Sequence, residues 1–422
     1  MSKTDPQDRT STMSLAAADL QDERLIHAEG LGGAITAFGR RVRTGDLGSL
    51  PVIIGLVAIW AIFEILNHDF LSADNLVNLM QQSAAEGVIA VGIVLVLLLG
   101  EIDLSVGSVS GVAAAILGVG LTKLHWPIIV AILVAIAVGV LIGILYGMLF
   151  TRFGVPSFVI TLAGLLGFLG LQLWILGPLG SINLSFSSWI VQFADTWFLP
   201  PWAVYALVAL AALGILFTDL SKARRRRAAG LSSQALSVTL AKVVLVAVAL
   251  GAVGWYLSTD RGTGVMFVFF IAIVVLMNFL LKRSRWGRSI FAVGGNVEAA
   301  RRSGINTRFV YISVFVLCSV LAIVGGILSA ARLSAASQSA GANDVNLDAI
   351  AAAVIGGTSL FGGRGSAWSA LLGIIVIQSI SSGLTLLNLG APQRYIITGA
   401  VLLVAVIVDS LSRRSRASHG QA

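Results

Sequence analysis

Lys282-Arg283-Ser284-Arg285-Trp286-Gly287-Arg288, a short apolar step, then Gly294-Gly295-Asn296-Val297-Glu298-Ala299-Ala300-Arg301-Arg302-Ser303-Gly304: this basic segment lies between apolar runs at 264–281 and 309–330. Each run is close to the roughly twenty residues that carry an α-helix across hydrocarbon. Lys and Arg resist translocation, so the cations Lys282, Arg283, Arg285, Arg288, Arg301, Arg302 and Arg308 hold the connection on the cytoplasmic side. Inside it, Asn296 can accept a hydrogen bond from the free amides of a first helical turn. Glu298 sits at the favourable end of the dipole, and Gly304 can take the left-handed conformation that closes the helix. The spacing predicts a short, capped, cationic helix between membrane spans, built to be gripped from the cytoplasm.

Composition agrees with a lipid setting. The 422 residues are 57% hydrophobic and 11% charged, with a mean hydropathy of +0.93, more apolar surface than one soluble core can hide. The net charge of +8 raises the question of nucleic acid, but the basic residues gather in clusters that flank spans, which is the pattern of topology anchors. Cys318, the one cysteine, excludes an internal disulfide and a cysteine metal cluster and reads as a packing residue.

From Leu50 onward about twelve apolar stretches follow, with ten to twelve as the working range: 50–66, 77–99, 104–121, 127–150, 157–177, 202–218, 236–257, 264–281, 309–330, 346–361, 367–387 and 394–409. The expected fold is an all-α, polytopic transmembrane helical bundle with both termini cytoplasmic. Arg40, Arg41 and Arg43 place the N-terminus inside, and Arg152, Lys222 with Arg224–Arg227, the loop 282–308 and Arg413, Arg414 and Arg416 then fall on the same side. Residues 1–48 read as a disordered cytoplasmic tail without a signal peptide's apolar core, 49–410 as the transmembrane domain, and 411–422 as a second cytoplasmic tail. The stretch 346–361 is short, and its Gly356-Gly357 with Gly362-Gly363-Arg364-Gly365 is compatible with a broken or re-entrant helix packed inside protein. An apolar helix running into a glycine-rich break and then a helix of small residues occurs twice, through Gly100–Gly118 and Gly356–Gly373, an echo of the internal repeats of transporters.

Gly100-Glu101-Ile102-Asp103-Leu104-Ser105-Val106-Gly107-Ser108 places two carboxylates beside hydrocarbon-length segments, where they need water, a partner or free backbone donors. One reading is a tight turn in which Asp103 caps the next helix; the other is a break beside a solute path, with Ser105, Ser108 and Ser110 offering hydroxyls. Gln81, Gln82, Ser83 and Glu86 lie on an otherwise apolar span, Gln82 and Glu86 on one face, and serve either as glue between helices or as solute contacts. Ser337–Asn346, with Gln338, Asn343, Asp344 and Asn346, reads as an outer loop, solvated or facing a delivered solute or docking protein. Gly139, Gly143 and Gly147 allow close helix packing. The histidines His27, His68, His125 and His419 form no ligand pair, so no metal site or catalytic pair emerges. No phosphate-cradling loop of the Gly-x-x-x-x-Gly-Lys-Ser/Thr type is present, and no cofactor is implied.

Glu298-Ala299-Ala300 followed by Gly304 resembles the cytoplasmic signature with which ABC importer permeases engage their ATPase subunits. Together with Ile102–Ser108, Trp286-Gly287-Arg288 to Asn296, and Gly356-Gly357-Thr358-Ser359-Leu360-Phe361-Gly362-Gly363-Arg364-Gly365, it makes residues 50–410 similar to the ribose and xylose type sugar permeases. Glu101 and the arginine-rich segment 222–242 resemble the xylose branch. The resemblance implies a bacterial inner-membrane transport subunit, not an enzyme, that pairs with a second copy, a cytoplasmic ATPase and a periplasmic sugar-binding protein. Asn296, Glu298, Ala299, Ala300, Arg301 and Gly304 would form its coupling helix. Candidates for the translocation path are Gln81, Gln82, Glu86, Glu101, Asp103, Ser105 and Ser108. The rival readings are an ion-driven secondary transporter using Glu86, Glu101 or Asp103, a branched-chain amino acid permease, and a membrane scaffold.

Overall fold

Within hydrocarbon, backbone N–H and C=O groups have no water to bond and must satisfy one another, so long apolar runs fold as helices. The computed structural model describes residues 50–229, 231, 233–341, 343–390, 392–401, 403 and 407. Both expected tails, with Arg40, Arg41, Arg43, Arg413, Arg414 and Arg416, lie outside the described residues, as do His27 and His419. The helices α1 (Leu50–Leu66), α2 (Ala73–Leu98), α3 (Val106–Thr122), α4 (Ile128–Phe153) and α5 (Ser157–Leu176) lead to β1 (Ser181–Asn183) and to helical turns at Trp189–Val191 and Gln192–Thr196. Then follow α6 (Pro201–Ala228), α7 (Leu236–Leu257), α8 (Val265–Arg283), α9 (Arg285–Gly295), α10 (Val297–Arg302), α11 (Thr307–Arg332), β2 (Ala335–Ser337), α12 (Asn343–Ile355) and α13 (Ala367–Leu386). Residues 392–400 are helical too.

Eight helices, α2, α4, α5, α6, α7, α8, α11 and α13, are long and apolar enough to cross a membrane. Of the remaining expected spans, α1 and α3 have 17 residues each and α12 has 13. A helix of that last length rises about 20 Å, short of a hydrocarbon core of roughly 30 Å. The chain beyond Ile355 continues as glycine-rich turns over residues 356–366.

The described residues divide into two compact units, one spanning Pro200–Gly262 and the other the flanking sequence. The first is the α6–α7 pair. Gly254 lets α7 approach Val204 of α6, and Lys242 Nζ meets Asp219 Oδ2 at 2.8 Å, with Lys222 also reaching Asp219 at 3.8 Å. Only 6% of the apolar window of either helix is buried, as in helices whose surroundings are lipid.

In the second unit, 89% of the corresponding window of α2 is buried, and α3 is buried from Val106 through Gly118. Small residues make that interior possible. On α4, Cβ atoms added to Gly139, Gly143 and Gly147 would run into Ile323, Val316 and Ile312 of α11, so the four-residue spacing is a close helix contact. At one end of this unit β1 and β2 pair antiparallel, Ser181 with Ser337 and Asn183 with Ala335, which joins the connection after α5 to the one after α11. Gln172, wholly buried in the last turns of α5, holds that loop by donating to the carbonyls of Ser337 (3.0 Å), Ala340 (2.8 Å) and Gln338 (3.4 Å). Residues 337–346 are therefore not one outer loop. Asp344 and Asn346 belong to α12, and Asn346 is buried and accepts from Gly107 N of α3. The burial of α3 draws α12 inward, and Asn346 meets a first-turn amide that has no partner within its own helix.

Candidate functional site

At the opposite end of this unit lies the basic segment. Ser284 caps α9 by accepting from Gly287 N at 2.9 Å, and Trp286 Nε1 donates to Ser313 Oγ of α11 at 2.8 Å, fastening α9 to the next span. Asn296 ends α9 and begins α10, its Oδ1 accepting from Ala299 N at 2.9 Å. At the far end Ile305 N bonds Ala300 O (3.1 Å) and Gly304 N bonds Arg301 O (3.0 Å), with Gly304 at φ +81°. This is the double bond pattern that a left-handed residue after a helix makes possible. Glu298 reaches Arg301 at 3.4 Å and Arg302 at 3.3 Å. These pairs are exposed and worth only a few tenths of a kcal/mol each. Ala300 is buried against the body, whereas Asn296, Glu298, Ala299, Arg301, Arg302 and Gly304 are exposed. The result is a six-residue helix whose polar, charged face is free and whose ends are fixed by its own sequence.

A second group fills the break between α2 and α3. Asp103, buried, accepts from Ser105 N (2.8 Å) and Ser105 Oγ (2.7 Å). Tyr146 OH of α4 donates to the same Ser105 Oγ at 2.8 Å, and Cys318 Sγ of α11 lies 3.8 Å from Asp103 Oδ2. The turn reading for Asp103 is thus modified: it closes a local turn onto Ser105, one residue ahead of α3, and does not cap the helix itself. Glu101 Oε2 accepts from Ser157 Oγ at 2.6 Å. Burial lifts the Glu101 carboxyl above its ordinary range, and the Ser157 bond opposes that shift. Ser108 donates to Ser105 O (2.9 Å) and Ser110 to Gly107 O (2.7 Å). All three serines are buried; Ser105 bonds within the break, while Ser108 and Ser110 bond carbonyls at the start of α3.

The third group lies on α2, about 18 Å back along the helix from Leu98. Gln378 Nε2 of α13 donates to Glu86 Oε2 at 2.5 Å. Arg332 of α11 and Asp344 and Asp348 of α12 are the charges that act on Glu86. Gln82 and Glu86 are half-buried. Gln81 is buried, its amide donating to Asp195 O at 3.2 Å. The structure thus divides the expected path residues into a mid-helix cluster and a separate break cluster. Gln378, Arg332 and Asp348 were not anticipated at the first of these. The available signals were an amide inside the apolar run 367–387 and the isolated Arg332.

Membrane-length helices, a polar cluster midway along one of them and an exposed basic helix between two others define a polytopic transport permease. The chain belongs to the family described as branched-chain amino acid transport system / permease component, which matches residues 75–406. It is 36% identical over 371 residues to the xylose transport system permease protein of Escherichia coli, covering 87% of this chain and 93% of that protein. The Haemophilus influenzae protein of the same description is 35% identical over 377 residues, 89% of this chain and 99% of its own length. The ribose import permease protein of Escherichia coli is 31% identical over 382 residues, 89% of this chain and 98% of that protein. No solved structure gives a significant match.

Proposed function

We propose that the chain is the membrane permease of an ATP-driven ABC importer and carries a monosaccharide, xylose or a sugar like it, into the cytoplasm across a bacterial inner membrane. The observation that carries this reading is the 36% identity to a xylose permease across nearly the whole of both chains. The sequence has no phosphate loop of its own, so a separate cytoplasmic ATPase supplies the energy and a periplasmic binding protein delivers the sugar. Asn296, Glu298, Ala299, Ala300, Arg301 and Gly304 form the coupling helix that enters the ATPase. Its capped ends and exposed charged face support the role.

Gln82 and Glu86, with Gln378, are the groups best placed to meet a polyhydroxylated solute, because they are polar, half-buried or paired, and lie midway along core helices. Glu101, Asp103, Ser105 and Ser108 shape the inner end of the path, and Gln81 anchors α2 beside it. Ten to twelve crossings with both tails cytoplasmic, and assembly as a pair of permeases, complete the proposal.

The test is reconstitution in proteoliposomes with the ATPase and the binding protein. Labelled xylose should enter only with ATP and both partners. Uptake by this chain alone under a proton or sodium gradient refutes the proposal. Uptake of leucine in place of sugar reassigns the substrate to the one named in the family's description.

A further inference from the structure

The two glycine-rich breaks and the basic segment meet at one point. Gly363 N, in the turns after α12, donates to Leu98 O at the end of α2, 2.9 Å away. A Cβ on Gly294, at the end of α9, would overlap that same carbonyl oxygen and lie 2.8 Å from Gly363 N. One on Gly362 would lie 2.6 Å from Gly294 O and 2.9 Å from Gly100 N, and one on Gly363 3.1 Å from Gly295 Cα. Three backbones therefore touch with no side chain between them. Gly295, the neighbouring residue, has open space where its Cβ would be.

We propose that Gly294, the Leu98 carbonyl and Gly363 form a rigid backbone junction that passes displacement of the basic segment into both helix breaks at once. This inference rests on the coupling role proposed above. Side chains can change rotamer and absorb a small displacement, but close-packed backbone cannot be compressed, so movement of α9 has no slack to take up. The other end of α9 is held by Trp286 to Ser313 of α11, so the helix moves as a lever. One arm of the junction is the end of α2, which carries Glu86. The other is the 356–366 turn, which leads into α13 and Gln378. The same push thus reaches both partners of the Glu86–Gln378 bond. Gly294, Leu98 and Gly363 are positioning residues in this scheme, since none need touch the solute.

The experiment compares sugar imported per ATP hydrolysed in proteoliposomes carrying both partner proteins. Gly294→Ala should lower that ratio about fivefold or more, the range of a typical coupling free energy, while Gly295→Ala keeps the wild-type ratio. A merely structural role would reduce the amount of working transporter, lowering hydrolysis and uptake together and leaving the ratio unchanged; that result overturns the junction. If Gly294→Ala fails to assemble, Gly363→Ala, whose steric contact is looser but whose backbone is left-handed at φ +70°, is judged on the same ratio. Glu298→Ala and Gly304→Ala in parallel separate the two ideas. Wild-type uptake in both defeats the coupling role itself. Loss of uptake there, with an unchanged ratio in Gly294→Ala or Gly363→Ala, defeats the junction alone.

Discussion

Asn296→Ala and Gly304→Ala attack the α10 helix at its two ends, and the structure sets how much each should cost. A helix of six residues has no independent stability in water, and of this one only Ala300 is buried, so its caps decide whether it is formed. Removing Asn296 Oδ1, which accepts from Ala299 N at 2.9 Å, costs about 1 kcal/mol. Forcing alanine into the left-handed conformation of Gly304, φ +81°, costs roughly 1–2 kcal/mol. Each change therefore lowers the folded-to-unfolded ratio of α10 about fivefold or more, since 1.4 kcal/mol is a factor of ten. Hydrogen exchange of the Ala300 and Ser303 amides, bonded to Asn296 O and Ala299 O, should accelerate by that factor. The melting temperature of the whole permease should hold, because little of the core rests on α10. Sugar-stimulated ATP hydrolysis and uptake should fall with the helix population, while Glu298→Gln, which loses only two exposed ion pairs, should leave the amides protected. Accelerated exchange with uptake at the wild-type rate would refute the claim that the ATPase reads the folded form of α10.

Two further outcomes follow from buried groups. Gln172→Leu strips the donors from Ser337 O and Ala340 O but also removes an amide oxygen that has no partner, for a net loss of about 2 kcal/mol; faster exchange over residues 335–341 and a lower melting temperature are the readouts. Glu101→Gln can still accept from Ser157 Oγ. The raised carboxyl keeps its proton to a higher pH in the folded chain than in the unfolded one, so stability falls as pH climbs above the ordinary carboxylate range near 4. Melting of the Glu101→Gln variant should lack that part of the decline.

What was legible in the sequence was what depends on neighbours. Asn296, Glu298 and Gly304 act over three to five residues, so capping rules placed both ends of α10 from spacing alone. Apolar length likewise gave the eight membrane-length helices among the described residues, whereas the run 346–361 folds as the shorter α12 and glycine-rich turns. The glycine-rich breaks were visible as a repeated pattern, but not that they meet each other and Gly294. Gln172, Gln378 and Asn346 escaped for the same reason: their partners stand 165, 292 and 239 residues away in the chain. A lone amide in an apolar run announces that it needs a partner without saying which. Asp103 shows the limit of local rules from the other side, since its spacing suits a cap and its carboxylate instead closes a turn one step earlier.

Glu86 is where a mechanically driven permease and an ion-driven carrier part company. Its carboxylate accepts from the neutral amide of Gln378, across α2 and α13, with Arg332 and Asp348 as charged neighbours. A carrier that titrates Glu86 needs the proton itself, so Glu86→Gln would abolish transport. A permease opened by moving α2 against α13 needs only a hydrogen-bonded contact that can part and re-form. Glutamine offers an amide oxygen in place of Oε2 and keeps that contact, so Glu86→Gln should hold ATP-dependent uptake within about threefold of wild type, a change under 1 kcal/mol. Glu86→Leu leaves Gln378 without its acceptor in a buried site, at about 1–3 kcal/mol, and should lower both stability and uptake. Initial uptake rates of the two variants in proteoliposomes at saturating ATP decide the matter: loss of transport in Glu86→Gln with normal melting would make the charge of Glu86 essential and refute the neutral-contact account, and uptake by the wild-type chain under an ion gradient without ATP would return the ion-driven reading.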